Sequence, residues 1–221
     1  MREYEREASE SEEEKLERAK NAYENLMAIV EKKKAEERAK KEEEKAWTRV
    51  EADSAVKQLM GRYFDAKKEG DADAMRKVRV ADAVVNASTL AVEANIYKDY
   101  TDIELLQYPG IGKNETAICA TYDTELSLID ASVPSIGWFY ALPDDTGTLR
   151  LMTRTELEEP ENSTICDYVS AAAALLENTT VAEMQQRYNN AVSSNDVLAQ
   201  YLQAIKNGTY YDFKPTTSAE D

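Results

Sequence analysis

The chain has 221 residues, of which 43% are apolar, and its 43 acidic against 27 basic side chains give a net charge of −16. The apolar content is sufficient for a hydrophobic core, and most of the acidic excess falls in residues 71–221, because residues 1–70 are nearly balanced in charge. A surface of this sign repels phosphate backbones and anionic lipid headgroups, so neither nucleic-acid binding nor membrane insertion is expected.

The first predicted element is a helical rod within residues 1–70, about 90 Å long if residues 10–68 form one continuous helix. Apolar side chains recur in it at spacings of three and four residues, which predicts a coiled-coil seam of two heptads. This seam consists of Leu16, Ala19, Tyr23, Leu26 and Val30. Residues 31–45 follow and are charged except for two alanines, and their oppositely charged i,i+4 pairs favour a solvated helix.

A second helix is predicted over residues 72–97, in a segment that extends from residue 71 to residue 99. Gly70 suits the left-handed end of the first helix, and Asp71 suits the N-cap of the second. Because the connection is this short, the sequence predicts an antiparallel helical hairpin.

Residues 100–160 contain β-prone runs separated by proline and glycine. Two such runs flank the turn sequence PDDTG and predict a β-hairpin of residues 136–142 and 148–153. Residues 161–208 show three helical faces, with a capping box predicted at Thr180 and Glu183, and a tail of residues 209–221 follows. The expected fold class is α+β and mainly helical: a long coiled-coil-like N-terminal helix and helical hairpin, a small middle region with a β-hairpin, and a C-terminal helical cluster.

Two groups of residues are candidates for binding a protein partner. The first is the N-terminal seam, because a helix that is mostly solvated must place its apolar stripe against another molecule. The second is the aromatic patch of Tyr210, Tyr211 and Phe213, which suits an arm that docks on a neighbouring subunit. Packing of this patch against its own domain is the alternative.

Cys119 and Cys166 are the only cysteines. They could form a disulfide, but the N-terminus lacks the apolar segment of a secretory signal, which favours two free thiols. Five N-x-S/T sequons occur, which indicate either glycosylation of a secreted protein or the caps and turns that Asn, Ser and Thr form locally. The sequons begin at Asn86, Asn114, Asn162, Asn178 and Asn207. Asn86 is expected inside the second helix.

The absence of histidine excludes Ser–His–Asp and Cys–His catalysis, and the two widely spaced cysteines exclude an ordinary zinc site. The tripeptide that starts at Asp145 matches aspartic proteases, yet no second copy supplies the partner carboxylate, so a turn is favoured. The sequence from Gly110 to Lys113 lacks the remaining residues of a P-loop, and no acidic cluster has EF-hand spacing. No cofactor and no metal are therefore expected.

These observations favour a non-enzymatic structural subunit that associates through its N-terminal helix, as a homo-oligomer or within a larger assembly such as a virion. One alternative is a secreted, N-glycosylated surface protein with one disulfide. Another is an enzyme that uses carboxylates or tyrosines of the β region, which predicts a pocket with at least two converging ionisable groups. With neither a signal peptide nor a run of about 18 apolar residues, a cytoplasmic or virion location is expected.

Overall fold

The structure is a computed structural model that describes residues 17, 20–21, 27, 31–34 and 50–215. The chain divides into two units, Met1–Trp47 and Thr48–Asp221. The described residues of the first unit are helical and exposed, including Met27. The five residues of the predicted seam lie outside the described residues, so their role as a partner surface stays a prediction.

An antiparallel sheet of five strands organises the second unit, and its strands follow one another in chain order across the sheet. The strands are β1 Val50–Glu51, β2 Tyr97–Pro109, β3 Thr116–Leu126, β4 Ser132–Pro143 and β5 Leu149–Met152. Short loops join β2 to β5 into a meander. A register shift interrupts the β2–β3 pairing near Asp102, whose φ of 50° is in the left-handed region.

Within residues 50–215, seven α-helices pack on this sheet or at its ends. They are α1 Ser54–Glu69, α2 Ala72–Val78, α3 Ala87–Ile96, α4 Arg154–Leu157, α5 Ser163–Leu175, α6 Ala182–Ser193 and α7 Asp196–Lys206. A π-helical turn, Glu177–Val181, joins α5 to α6, and a short 3-10 turn, Tyr210–Asp212, follows α7. No helix in the described part of the chain is both long enough and apolar enough to cross a bilayer.

Both faces of the sheet are buried, and alternate residues of β3 show this directly. Ile118 and Ala120 pack with α1, α2 and α3, whereas Ala117 and Cys119 pack on the opposite face with α4 and α5. A strand covered on both sides is apolar at successive positions, which explains the unbroken run AICA in the sequence. A third cluster closes one end of the sheet, where Leu126 packs against α7.

The predicted fold class is wrong, because the sheet is the central layer of the second unit and not a small hairpin in a mainly helical chain. A continuous helix over residues 10–68 is also wrong. Residues 50–51 pair as β1 with β2, and Asp53 then starts α1 by accepting a hydrogen bond from the Val56 amide at 2.9 Å.

The predicted helix over residues 72–97 is two helices, and the helical hairpin is replaced by three helices on one sheet face. The break has a tertiary cause. Val80 donates its backbone N–H to the carbonyl of Leu151 at 3.1 Å, so the chain after α2 lies along β5 instead of continuing as a helix. Asn86 then caps α3 by accepting from the Thr89 amide at 3.1 Å, whereas it was expected inside a helix.

Three local predictions have clear outcomes. Gly70 ends α1 with a φ of 67°, and the Asp71 carboxylate accepts from two backbone amides at the start of α2, as predicted. The hairpin predicted for residues 136–142 and 148–153 forms between β4 and β5 within the larger sheet, but only residues 140–143 and 149–152 pair. The capping box at Thr180 and Glu183 is wrong, because Thr180 lies in the π-helical turn and α6 begins after Val181.

Candidate functional site

A cavity of about 800 Å³ lies beside the middle of β4. Strand β5 pairs with β4 only over residues 140–143, so residues 132–139 have no strand neighbour on that side among the described residues. Four successive β4 residues, 136–139, line the cavity together with α1 to α3 from one sheet face and α4 and α5 from the other. Since successive strand residues point to opposite faces, the cavity extends around this free edge.

The walls of the cavity are mainly apolar. Trp138 and Phe139 come from the strand, while Leu90 of α3 and Val169 of α5 close opposite sides. Gly137 allows this arrangement, because a Cβ there would lie 2.9 Å from the ring of Phe139. The ring therefore occupies the space above the glycine and forms part of the lining.

Arg79 forms one polar corner of the cavity and is held there by a buried ion pair. Arg79, in the segment between α2 and α3, donates to the Glu156 carboxylate and, at 3.3 Å, to the hydroxyl of Thr153. Glu156 is 3% exposed and also accepts from the backbone N–H and the hydroxyl of Thr153, at 2.8 and 2.7 Å. The same carboxylate thus caps α4 and fixes Arg79, and burial lowers the pKa of the Arg79 guanidinium.

Tyr63 of α1 contributes a second polar group. Its ring is 8% exposed and packs edge-on against Phe139 with centroids 5.2 Å apart, and it lines the cavity. Burial raises the pKa of its hydroxyl to about 12, the negative charge of Glu93 acts in the same direction, and the positive charge of Arg79 opposes both. At neutral pH the hydroxyl is therefore protonated and can donate a hydrogen bond.

The remaining lining charges are paired. Lys67 lies 3.4 Å from Glu93 and is also placed over the ring of Tyr100, 5.8 Å from its centroid. At the outer rim, Arg154 pairs with Glu158 at 2.6 Å. Each lining cation therefore has a carboxylate partner, and the cavity is close to electrically neutral within a strongly acidic protein.

This arrangement can bind a molecule more readily than it can transfer protons. Ionisable groups do converge on the cavity, as the enzyme alternative predicts, although they come from helices as well as from the β region. A tyrosine whose pKa is raised to about 12 is a hydrogen-bond donor and a poor general base at neutral pH. Within the described residues, no three acidic or cysteine side chains are placed to hold a metal ion.

No disulfide joins the two cysteines in the structure, and they occupy different environments. Cys119 is fully buried on β3, where it faces α5 as part of the core. Cys166 is half-buried on α5 and lines the cavity.

The aromatic patch near the C-terminus packs mostly on its own domain. Tyr210 is buried beside Leu198 of α7, and the ring of Phe213 lies 5.0 Å from that of Tyr201. Only Tyr211 projects outward, with 64% of its surface exposed. A partner contact by this patch remains a prediction, and Tyr211 is the residue whose exposure suits it.

The tripeptide that starts at Asp145 and the glycine-containing segment from Gly110 to Lys113 lie in a turn and in a loop. Asp144 organises the β4–β5 turn: hydrogen bonds to its carboxylate from the hydroxyl of Thr146 and the guanidinium of Arg150 hold its pKa well below the usual range. The tripeptide that resembles aspartic proteases is part of this turn, with Gly147 at a φ of 82°. The segment after Gly110 is the β2–β3 loop, closed by a 2.8 Å bond from the Gly110 amide to the Glu115 carbonyl.

The sequons lie in several settings. Asn162 donates its side-chain amide to the carbonyl of Glu156 at 2.8 Å, so it has a structural role before α5. Asn114, Asn178 and Asn207 are exposed, and Asn114 has a φ of 64°. Local structure accounts for Asn86 and Asn162, and glycosylation of the other three asparagines stays a prediction.

Sequence reasoning missed the polar cavity residues Tyr63 and Arg79, and also Glu156, which holds Arg79 in place. Tyr63 has the spacing of an ordinary core position on α1, and Arg79 falls inside the wrongly predicted second helix. A signal did exist for Glu156, since residues 153–156 read T-x-x-E directly after a β-strand, which is the capping-box pattern.

Comparison with known proteins does not assign this chain to a family. No family model matches it, and neither a curated protein nor a solved structure shows significant similarity to it. The cavity and its side chains are therefore the basis for a functional conclusion.

Proposed function

We propose that this chain is a non-enzymatic binding protein whose cavity beside β4 holds a small, mostly apolar molecule. The observation that supports this most directly is the combination of volume and lining. About 800 Å³ falls within the ~300–1,000 Å³ typical of small-molecule sites, and such sites combine apolar walls with a few oriented polar groups. Trp138 and Phe139 supply the walls, and Tyr63 and Arg79 supply the polar groups.

The location supports the same proposal. The cavity lies between helices that cover opposite faces of the sheet, and the paired charges around it are already fixed by partners within the protein. An apolar ligand would therefore remove little solvation from unpaired charges, which keeps the cost of binding low.

A dye-binding experiment with a cavity-filling variant tests this proposal. Ala173 of α5 lines the cavity and is half-buried, whereas Ala171 on the same helix is exposed and lies outside the lining. The neutral dye N-phenylnaphthylamine should bind the full chain with increased fluorescence. Ala173→Trp should weaken binding at least tenfold, and Ala171→Trp should leave it unchanged.

The two tryptophan variants share the helix and the added side chain, so a general effect of tryptophan on α5 would appear in both. Circular dichroism confirms that each variant is folded before titration. Equal affinity in the two variants, or no dye binding by the unmodified chain, contradicts a ligand cavity at this place.

A second function, assembly through the N-terminal helix, is favoured by a separate observation. Met27 is apolar, helical and 41% exposed, and it belongs to a unit, Met1–Trp47, distinct from the one that contains the sheet. We infer that this unit associates with another copy of the chain or with a partner helix. Mass measurement in solution should show a larger species for the full chain than for a chain lacking residues 1–45, and equal monomeric masses contradict the inference.

A further inference from the structure

The corner of the cavity around Tyr63 and Arg79 contains hydrogen-bond donors that have no acceptor. The Tyr63 hydroxyl forms no hydrogen bond within the described part of the chain, although its side chain is more than nine-tenths buried. The Nε–H of Arg79 is also buried without a partner among these residues. The Arg79 Nε–H has thus lost its bonds to water without a replacement, whereas the Tyr63 side chain lines the cavity, where a ligand can reach it.

Both groups line the same cavity, and each influences the ionisation of the other. The positive charge of Arg79 lowers the pKa of the Tyr63 hydroxyl, and the Tyr63 hydroxyl raises the pKa of Arg79. Burial and the negative charge of Glu93 outweigh the effect of Arg79, so the Tyr63 hydroxyl stays protonated and is available as a donor. A ligand atom that lies at this corner should therefore be a hydrogen-bond acceptor.

Charge decides what kind of acceptor fits. Arg79 is already neutralised by Glu156, and Lys67 by Glu93. A carboxylate or phosphate on the ligand would add an unbalanced negative charge inside a partly desolvated cavity, in a protein whose net charge is −16. A neutral carbonyl oxygen gains the hydrogen bond without that penalty.

We propose that the ligand class of this cavity is a neutral molecule with an aromatic or aliphatic body and one carbonyl-type acceptor, which accepts from the Tyr63 hydroxyl beside Arg79. This inference rests on the proposed function, since it names the ligand class of the same cavity. The body lies against Trp138 and Phe139, and the carbonyl points to the side of the cavity formed by α1.

Three dyes that share one aromatic body test the inference on the full chain. PRODAN carries a neutral acyl carbonyl, dimethylaminonaphthalene lacks the acyl group, and the corresponding dimethylaminonaphthoate carries a carboxylate in its place. PRODAN should bind most tightly of the three. Tyr63→Phe, which retains the ring packing, should weaken PRODAN about fivefold to tenfold, the effect of one hydrogen bond, and should leave the acyl-free dye unchanged.

Tyr201→Phe is the matched control, because the Tyr201 hydroxyl is also buried without a partner but lies at the α7 end of the sheet, outside the cavity lining. It should not change the affinity of any dye. PRODAN emission gives a second readout, since loss of a hydrogen bond to its carbonyl shifts the emission to shorter wavelength in Tyr63→Phe.

The possible failures are distinguishable. If all three dyes bind equally, or if Tyr63→Phe weakens all three alike, the cavity proposal stands and the carbonyl inference is overturned. Tightest binding of the naphthoate overturns it in favour of an anionic ligand. If none of the dyes binds, both the proposed function and this inference are contradicted.

Discussion

The ion pair between Arg79 and Glu156 gives the sharpest test of how the second unit is held together. Both side chains are largely buried, with 11% and 4% of their surfaces exposed. Replacing Arg79 with Met retains most of the apolar stem and leaves the Glu156 carboxylate buried without its cation. Removal of one partner from a buried pair typically costs about 3–5 kcal/mol.

The structure places the expected value near the lower end of that range. The two hydrogen bonds from Thr153 to Glu156 remain in Arg79→Met and continue to stabilise the carboxylate. We therefore expect Arg79→Met to lower the free energy of unfolding by about 3 kcal/mol. Glu156→Gln keeps an oxygen that accepts from Thr153 and leaves Arg79 unpaired next to the cavity, where water can reach it, so about 2 kcal/mol is expected.

The double variant distinguishes a specific pair from two independent effects. Since it contains no uncompensated buried charge, Arg79→Met with Glu156→Gln should cost about 2 kcal/mol in total, which gives a coupling of about 3 kcal/mol between the two positions. Urea unfolding followed by circular dichroism measures all three variants, with the slope of the transition checked for constancy.

Arg154→Met is the control for this experiment. Arg154 pairs with Glu158 at the end of α4, but 87% of its side chain is exposed, so its loss should change the free energy of unfolding very little. Additive single-variant effects, or a cost of Arg79→Met no larger than that of Arg154→Met, would show that the buried pair does not stabilise the fold as argued.

Three further predictions concern turns and buried hydroxyls. The folded-state pKa of Asp144 lies below its unfolded value. The stabilising effect of this carboxylate is therefore present at neutral pH and is lost on acidification. Between about pH 6 and about pH 3, the urea midpoint should fall less in Asp144→Asn than in the unmodified chain. Gly70 and Gly208 both have positive φ, but of the two only Gly70 has a neighbour within 4 Å of an added Cβ. In thermal unfolding, Gly70→Ala should therefore lower the free energy of unfolding by about 2 kcal/mol, and Gly208→Ala by about 1 kcal/mol. Tyr201→Phe removes a buried hydroxyl that has no partner, so it should raise the free energy of urea unfolding by up to about 1 kcal/mol. Tyr140→Phe leaves the Ile111 amide without its acceptor, so it should lower the free energy of unfolding by about 1–2 kcal/mol.

Local signals in the sequence were sufficient for the features that depend on neighbouring residues. The end of α1 at Gly70 and the cap at Asp71 follow from backbone geometry that few residues adopt, so these positions were predictable. The β4–β5 hairpin followed from its turn, where Asp144 and Gly147 fix the chain reversal. Each of these features is decided within about ten residues.

Features that depend on distant residues were not predictable in this way. The apolar spacing that predicted one helix over residues 72–97 is present in α2 and α3. It carries no information about Leu151, whose carbonyl accepts a hydrogen bond from the Val80 amide just after the end of α2. The extent of the sheet was hidden for a related reason. Burial of β3 on both faces removes the alternation that identifies a strand, and β2 is rich in charged residues.

The cavity could not be predicted because its lining comes from six elements that are far apart in the sequence. Tyr63, Phe139 and Val169 each look like core positions of their own helix or strand, and in part they are. What makes them a lining is the space left between them, which is a property of element lengths and not of any single residue.

The lengths of two strands explain where that space comes from. Strand β4 has 12 residues and β5 has 4, because the chain leaves the sheet at Thr153 and enters α4. The capping interaction of Glu156 with Thr153 causes this exit, and the same carboxylate holds Arg79 at the cavity. One side chain therefore ends the strand that would otherwise cover the edge of β4 and also positions a polar group beside the uncovered edge. It follows that the cavity and the α4 cap should be lost together: Glu156→Ala, which removes the cap and the partner of Arg79 at once, should weaken dye binding, whereas Arg187→Met, which breaks the ion pair with Asp123 outside the cavity lining, should leave dye binding intact.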